Sequence, residues 1–101
     1  MSNQREQTAR VFKAFCDENR LMVLELLRDG EKCANSLLEE LEIKQSTLSH
    51  HMKILCESGI VINRRQGKWT YYRLSKDGCE KAAELLKRVT LTDIKKSALG
   101  A

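Results

Sequence analysis

The sequence predicts a mainly α-helical domain interrupted once by a β-hairpin. Three observations carry that expectation. The 101 residues contain no proline and only five glycines, so long helices meet few breaks. Apolar residues recur at helical spacing from the N-terminus to about residue 58. Between residues 60 and 74 the period then shortens to two, and the composition turns β-branched and aromatic.

Each element follows from its residues. A first helix is expected over about Gln4 to Phe15, with Ala9, Val11, Phe12 and Phe15 at helical spacing. Asp17 is a good N-cap for a second helix running through Arg20 to Arg28 and stopped by Asp29-Gly30. A short third helix covers about Ala34 to Glu40, with Leu37, Leu38 and Leu41 inward. Three residues, Glu42-Ile43-Lys44, separate it from a fourth helix over about Gln45 to Ser58. The buried stripe of that helix is Leu48, Met52 and Leu55, and Gly59 sits where a helix C-terminal glycine belongs. Ile60 to Arg65 and Trp69 to Leu74 are the two strands of a hairpin, turning at Gln66-Gly67. Ser75 caps a last helix over about Lys76 to Val89, with Leu85, Leu86 and Val89 on its apolar face and weaker helix through Leu91, Ile94 and Leu99.

A short helix, a three-residue turn and a second helix form a helix-turn-helix. A basic hairpin directly after it is the wing of a winged helix-turn-helix. At 11.6 kDa, residues 1–101 make one domain with no room for a second core. A composition 42% apolar and 32% charged is globular rather than disordered. No apolar run is long enough to span a bilayer. The polar start, Met1 to Gln7, lacks a signal-peptide core, so a cytoplasmic location is expected.

The net charge of +4 is unevenly spread. Residues 1–43 carry −3, whereas residues 44–73 carry +5, with Lys44, Lys53, Arg64, Arg65, Lys68 and Arg73 against Glu57 alone. Such a block suits a polyanion. The fourth helix turns Leu48, Met52 and Leu55 to the core, so Gln45, Ser46, Ser49, His50 and Lys53 fall largely outside. These side chains suit base edges and phosphates, and Gln45, Ser46 and Thr47 form the first turn, the part that enters a major groove. Arg64, Arg65 and Lys68 surround the hairpin tip, within reach of the adjacent minor groove or backbone. The expected partner is double-stranded DNA, with no cofactor required for binding it. Trp69, Tyr71 and Tyr72 are expected to pack the hairpin against the helices rather than stack on bases. An enzyme is excluded on content: no Gly-rich phosphate loop, no H-E-x-x-H and no nucleophile–base pair at a recognised spacing occurs. A winged-helix module that binds a protein or RNA remains the other class.

Asp17-Glu18-Asn19-Arg20-Leu21, the run Gln45-Ser46-Thr47-Leu48-Ser49-His50-His51-Met52-Lys53-Ile54-Leu55, and Ser58-Gly59-Ile60-Val61 resemble the ArsR/SmtB family of metal-responsive repressors. Gly67-Lys68-Trp69-Thr70-Tyr71-Tyr72 is similar to the wing of that family. The resemblance covers roughly residues 8–90. It implies a homodimer formed through the first and last helices, which binds operator DNA and is released by an inducer.

The inducer site departs from the family pattern. Where a Cys-x-Cys pair is often found near the third helix, this chain has Cys33 but Asn35. The last helix offers Asp77, Glu80, Glu84 and Asp93 but no histidine, which disfavours the family's His-containing metal site. The only histidines, His50 and His51, are adjacent on one helix and diverge by roughly 100°. His50 is expected to meet DNA and His51 to pack between helices. The four cysteines, Cys16, Cys33, Cys56 and Cys79, form no C-x-x-C pair. They suit separate thiols, a redox or persulfide switch, or a thiophilic ion. As(III) wants three thiolates; Cys33 lies at a helix N-terminus, which favours thiolate, and Cys16 and Cys56 are the first candidates to join it.

Overall fold

The computed structural model describes the backbone of residues 3–100 and the side chains of residues 3–91. The chain order is α1 (Gln4–Lys13), α2 (Glu18–Leu27), β1 (Lys32–Cys33), α3 (Ala34–Leu41), α4 (Gln45–Glu57), β2 (Val61–Gln66), β3 (Trp69–Leu74) and α5 (Lys76–Gly100). This is the winged helix-turn-helix expected from the sequence, with one addition. Lys32 and Cys33 pair with Tyr72 and Tyr71, so the hairpin becomes a three-stranded antiparallel sheet in the order β1-β3-β2.

Local chemistry sets the boundaries. Asn3 caps α1 by accepting from the Glu6 N–H at 2.7 Å. The first helix stops at Lys13, earlier than expected, because Ala14, Phe15 and Cys16 donate to the carbonyls three residues back in a tightened turn. Asp17 caps α2 through the N–H groups of Asn19 and Arg20. Arg20, Val23 and Leu27 then share its buried stripe. The helix-turn-helix corner reverses at Glu42, which ends α3 in the left-handed region at φ 53° while its N–H bonds the Leu38 carbonyl. The wing turn lies one residue beyond the expected Gln66-Gly67. Gln66 pairs with Trp69, leaving Gly67-Lys68 as the two-residue loop. Gly67 has φ 62° and Lys68 a negative φ, the pattern of a type II′ turn with glycine first. Ser75 caps α5 by accepting from the Gly78 N–H at 3.0 Å.

The core gathers Ala14, Val23, Leu27, Leu37, Leu41, Leu48, Met52, Leu55, Ile60, Val61 and Ala82. It therefore draws on α2 to α5, on the residue that caps the end of α1 and on the root of the wing. Each fully buried leucine contributes about 2 kcal/mol. Leu37 and Leu41 face it as expected, while Leu38 is half-buried. Tyr72 also packs against it. Trp69 does not: it stays 46% exposed, against expectation, at the last pair of the ladder before the wing tip, opposite Gln66. Beyond Val89, α5 continues as one helix to Gly100. Leu91 is exposed, and the side chains of Asp93, Ile94 and Leu99 lie outside the described residues.

Candidate nucleic-acid interface

The recognition helix, α4, is divided lengthwise. Leu48, His51, Met52, Ile54 and Leu55 are buried. Gln45, Ser46, Ser49, His50 and Lys53 are exposed, and Thr47 is half-buried. Gln45, Ser49 and Lys53 repeat every fourth residue and so form one row, with Ser46 and His50 beside it. The helix begins at Lys44, whose side chain makes no capping hydrogen bond. A cation there opposes the helix dipole, and lysine supplies no acceptor for the first-turn N–H groups. A local choice that weakens the helix start is one that an arriving phosphate would reverse.

The wing carries its cations in two ways. Arg65 and Lys68 are exposed, and Lys68 occupies the tip. Among the described residues neither takes part in an ion pair. Arg64 is committed elsewhere. Its Nε and Nη2 donate to the two carboxylate oxygens of Glu31 at 2.8 and 2.7 Å, and its Nη1 donates to Gln66 Oε1 at 2.8 Å. The guanidinium also lies 4.5 Å from the centre of the Tyr71 ring. The Arg64 hydrogen bond holds the Glu31 carboxyl below its usual range, against a smaller opposing effect of burial. Glu31 and Arg64 are 33 positions apart, and no local pattern announces the pair.

Behind α4 lies a second arrangement. His51 is buried, as its packing role required, and its Nδ1 lies 3.0 Å from Arg20 Nη1. Arg20 also donates from Nη2 to the Lys13 carbonyl at 3.1 Å. A signal for this was present in the sequence: Arg20 falls on the same helical stripe as Val23 and Leu27, where a charged residue needs a partner.

The cysteines are dispersed. Cys16 is exposed in the α1–α2 turn and donates to the Phe12 carbonyl at 3.4 Å. Cys33 is half-buried in β1, paired across the sheet with Tyr71, and immediately precedes α3. Cys56 is half-buried near the end of α4 and accepts from Asn63 Nδ2 at 3.6 Å. Burial pushes the Cys56 thiol up, opposed in part by that hydrogen bond, and burial likewise raises Cys79. Among the described residues no three His, Cys, Asp or Glu side chains come together to hold a metal ion. Cys16, Cys33 and Cys56 therefore do not converge within one subunit, because a turn, a strand and a helix end hold them in different parts of the fold.

A helix-turn-helix with an exposed polar row on its second helix, followed by a cationic wing, defines a winged helix-turn-helix DNA-binding protein. The chain belongs to the arsR family of bacterial regulatory proteins, whose profile matches residues 17–63. It is 41% identical over 82 residues to an uncharacterized HTH-type transcriptional regulator of Methanocaldococcus jannaschii, covering 80% of this chain and 92% of that one. It is 44% identical over 66 residues to the arsenical resistance operon repressor of Escherichia coli, covering 64% of this chain and 56% of that one. The fold is similar to the homodimeric winged helix-turn-helix DNA-binding domain of a possible ArsR-family regulator from Mycobacterium bovis. That likeness has a TM-score of 0.69 and 28% identity, and covers 92% of this chain and 95% of that one. No helix among the described residues is long and apolar enough to cross a membrane.

Proposed function

We propose that this protein is a homodimeric repressor that binds operator DNA and leaves it when a thiophilic inducer arrives. The observation that carries the reading is the α4 row of Gln45, Ser49 and Lys53, which starts at an uncapped cationic helix end. Gln45, Ser46, Thr47, Ser49 and His50 read base edges in the major groove, while Lys53, Arg65 and Lys68 meet phosphates. Arg64 joins them once Glu31 releases it. Dimerisation brings two copies of α4 to half-sites about one helical turn apart.

The inducer we favour is arsenite, acting through Cys33, since relatives include arsenical resistance operon repressors. Among the described residues no three thiols come together, so Cys33 needs thiols across the dimer. Binding of cognate and scrambled duplexes at two salt concentrations tests the DNA role. Gln45→Ala and Ser49→Ala should each lose about 1–3 kcal/mol of discrimination, whereas Lys68→Ala should weaken both duplexes alike. Equal loss on both for Gln45→Ala would remove its base-reading role. Cys33→Ser should bind DNA normally and ignore As(III). A wild type that ignores As(III) but responds to oxidant or persulfide would make the thiol switch a redox one.

A further inference from the structure

Arg20 is a fully charged group inside the core, 6% exposed, and it touches two other helices. Its Nη2 holds the Lys13 carbonyl at the end of α1, and its Nη1 meets His51 Nδ1 on α4 at 3.0 Å. Among the described residues its Nε has no hydrogen-bond partner. A guanidinium has only donors. Nδ1 of His51 must therefore accept, which leaves the ring neutral with its proton on Nε2. That nitrogen faces Asp17 Oδ1 at 3.8 Å, the same oxygen that caps α2.

We infer that Arg20 is a positioning residue for the recognition helix, seating α4 for operator DNA only while His51 Nδ1 remains unprotonated. The inference rests on the operator-binding reading above. His51 lies beside His50 and two residues after Ser49, so the tie that fixes its roll also fixes the reading row. Protonation sets an N–H against an N–H and two cations 3.0 Å apart. The tie to α1 and α2 then opens, while Leu48, Met52 and Leu55 keep α4 packed on the core.

The groups acting on His51 are Asp17 and Arg20 from α2 and His50 from its own helix; α1 contributes the carbonyl that anchors Arg20. Burial lowers the affinity of His51 for a proton, Asp17 opposes this, and Arg20 and His50 add to it. A lowered histidine pKa means that the unfolded chain binds the proton first. The contribution is thus complete above the ordinary value of 6.5 and is lost as pH falls from there toward the folded pKa. Acid makes the protein more cationic and would by itself tighten any DNA binding. The positioning role predicts the opposite sign for the operator alone.

The test uses the full chain and a duplex that it selects from a random pool at neutral pH. Affinity for that duplex and for a scrambled one is measured from about pH 8 to about pH 5 at constant ionic strength. The ratio of the two should fall about tenfold for the wild type. His51→Gln, whose side-chain carbonyl accepts at any pH, should keep the neutral-pH ratio and lose the pH dependence. His50→Asn alters a base contact and lowers the ratio at every pH, but the fall of the ratio with pH should persist. The imidazole nitrogen shifts of wild-type His51 should report the Nε2–H tautomer at neutral pH, with a midpoint that coincides with the fall in the ratio. A flat wild-type profile, a His51→Gln profile that follows the wild type, a midpoint elsewhere, or helix loss across the same range overturns the inference. Failure to select any duplex overturns the operator-binding reading instead.

Discussion

Gly78 has no room for a methyl group. A Cβ built there would stand 1.8 Å from the Gly59 carbonyl oxygen and 2.7 Å from its carbon. Both atoms are backbone, so neither can swing aside. Gly59 has φ 86°, in the short connection between the end of α4 and the start of β2. Gly78→Ala should therefore destabilise the protein by roughly 3 kcal/mol or more. Its thermal midpoint should drop by roughly 15 °C, and a drop of only a few degrees would mean that α5 slides away at little cost. The same residue scale shows what a sequence can conceal. The role of Gly78 depends on a contact with a residue 19 positions earlier. The burial of His51 could be anticipated from the α4 stripe, but its Arg20 partner lies 31 positions away.

At the scale of elements, the helices were legible because each carries its own period, and α2 and α5 a recognisable cap as well. Asp17, Ser75 and the Leu48-Met52-Leu55 stripe all act as their residue types suggest. The β1 strand was not legible, since two residues show no alternation and its pairing is supplied by Tyr71 and Tyr72. The wing turn fell one residue late because Gly67 belongs at the first turn position rather than the second. Reading the wing as three equivalent cations also missed the Glu31 carboxylate that engages Arg64. This yields a prediction at the scale of the wing. Glu31→Gln should free Arg64, raise affinity for all duplexes and steepen the salt dependence by about 0.9 in log–log slope. Arg65→Ala should flatten it by about the same amount. An unchanged slope in Glu31→Gln would make Arg64 a brace of the wing and not a DNA contact.

For the whole molecule, the apolar surface is larger than one subunit can hide. Phe15, Leu21, Leu86 and Val89 are exposed, and all but Val89 line a groove between α1, α2 and α5 that also includes Phe12 and Leu24. The chain is elongated, 56 × 31 × 21 Å, with α5 running for 25 residues. Its radius of gyration of 16.1 Å exceeds the roughly 13 Å of a compact domain this long. A second copy laid along α1 and α5 would cover that surface. Leu86→Glu combined with Val89→Glu should give a folded monomer by sedimentation, with operator affinity reduced at least about a hundredfold. A dimer that persists in this variant would put the interface elsewhere. The cysteine question belongs to this scale too, because the spacing of Cys16, Cys33 and Cys56 along one chain says nothing about thiols across two.

The backbone contact between Gly59 and Gly78 turns such a dimer into a pair of levers. It is reinforced by the Ser75 N–H on the Ile60 carbonyl at 2.8 Å, so the start of α5 is tied to the segment that joins α4 to the wing. From Gly78 to Val89, α5 extends about 16 Å on one side. From Ser58 to Gln45, α4 extends roughly 20 Å on the other. Were α4 and α5 to move as one body about this contact, a rocking of about 5° between two paired α5 helices would displace each Gln45 by roughly 1.7 Å. Hydrogen bonds tolerate only about 0.5 Å, so an operator could be released by a change of angle alone, with no element unfolded.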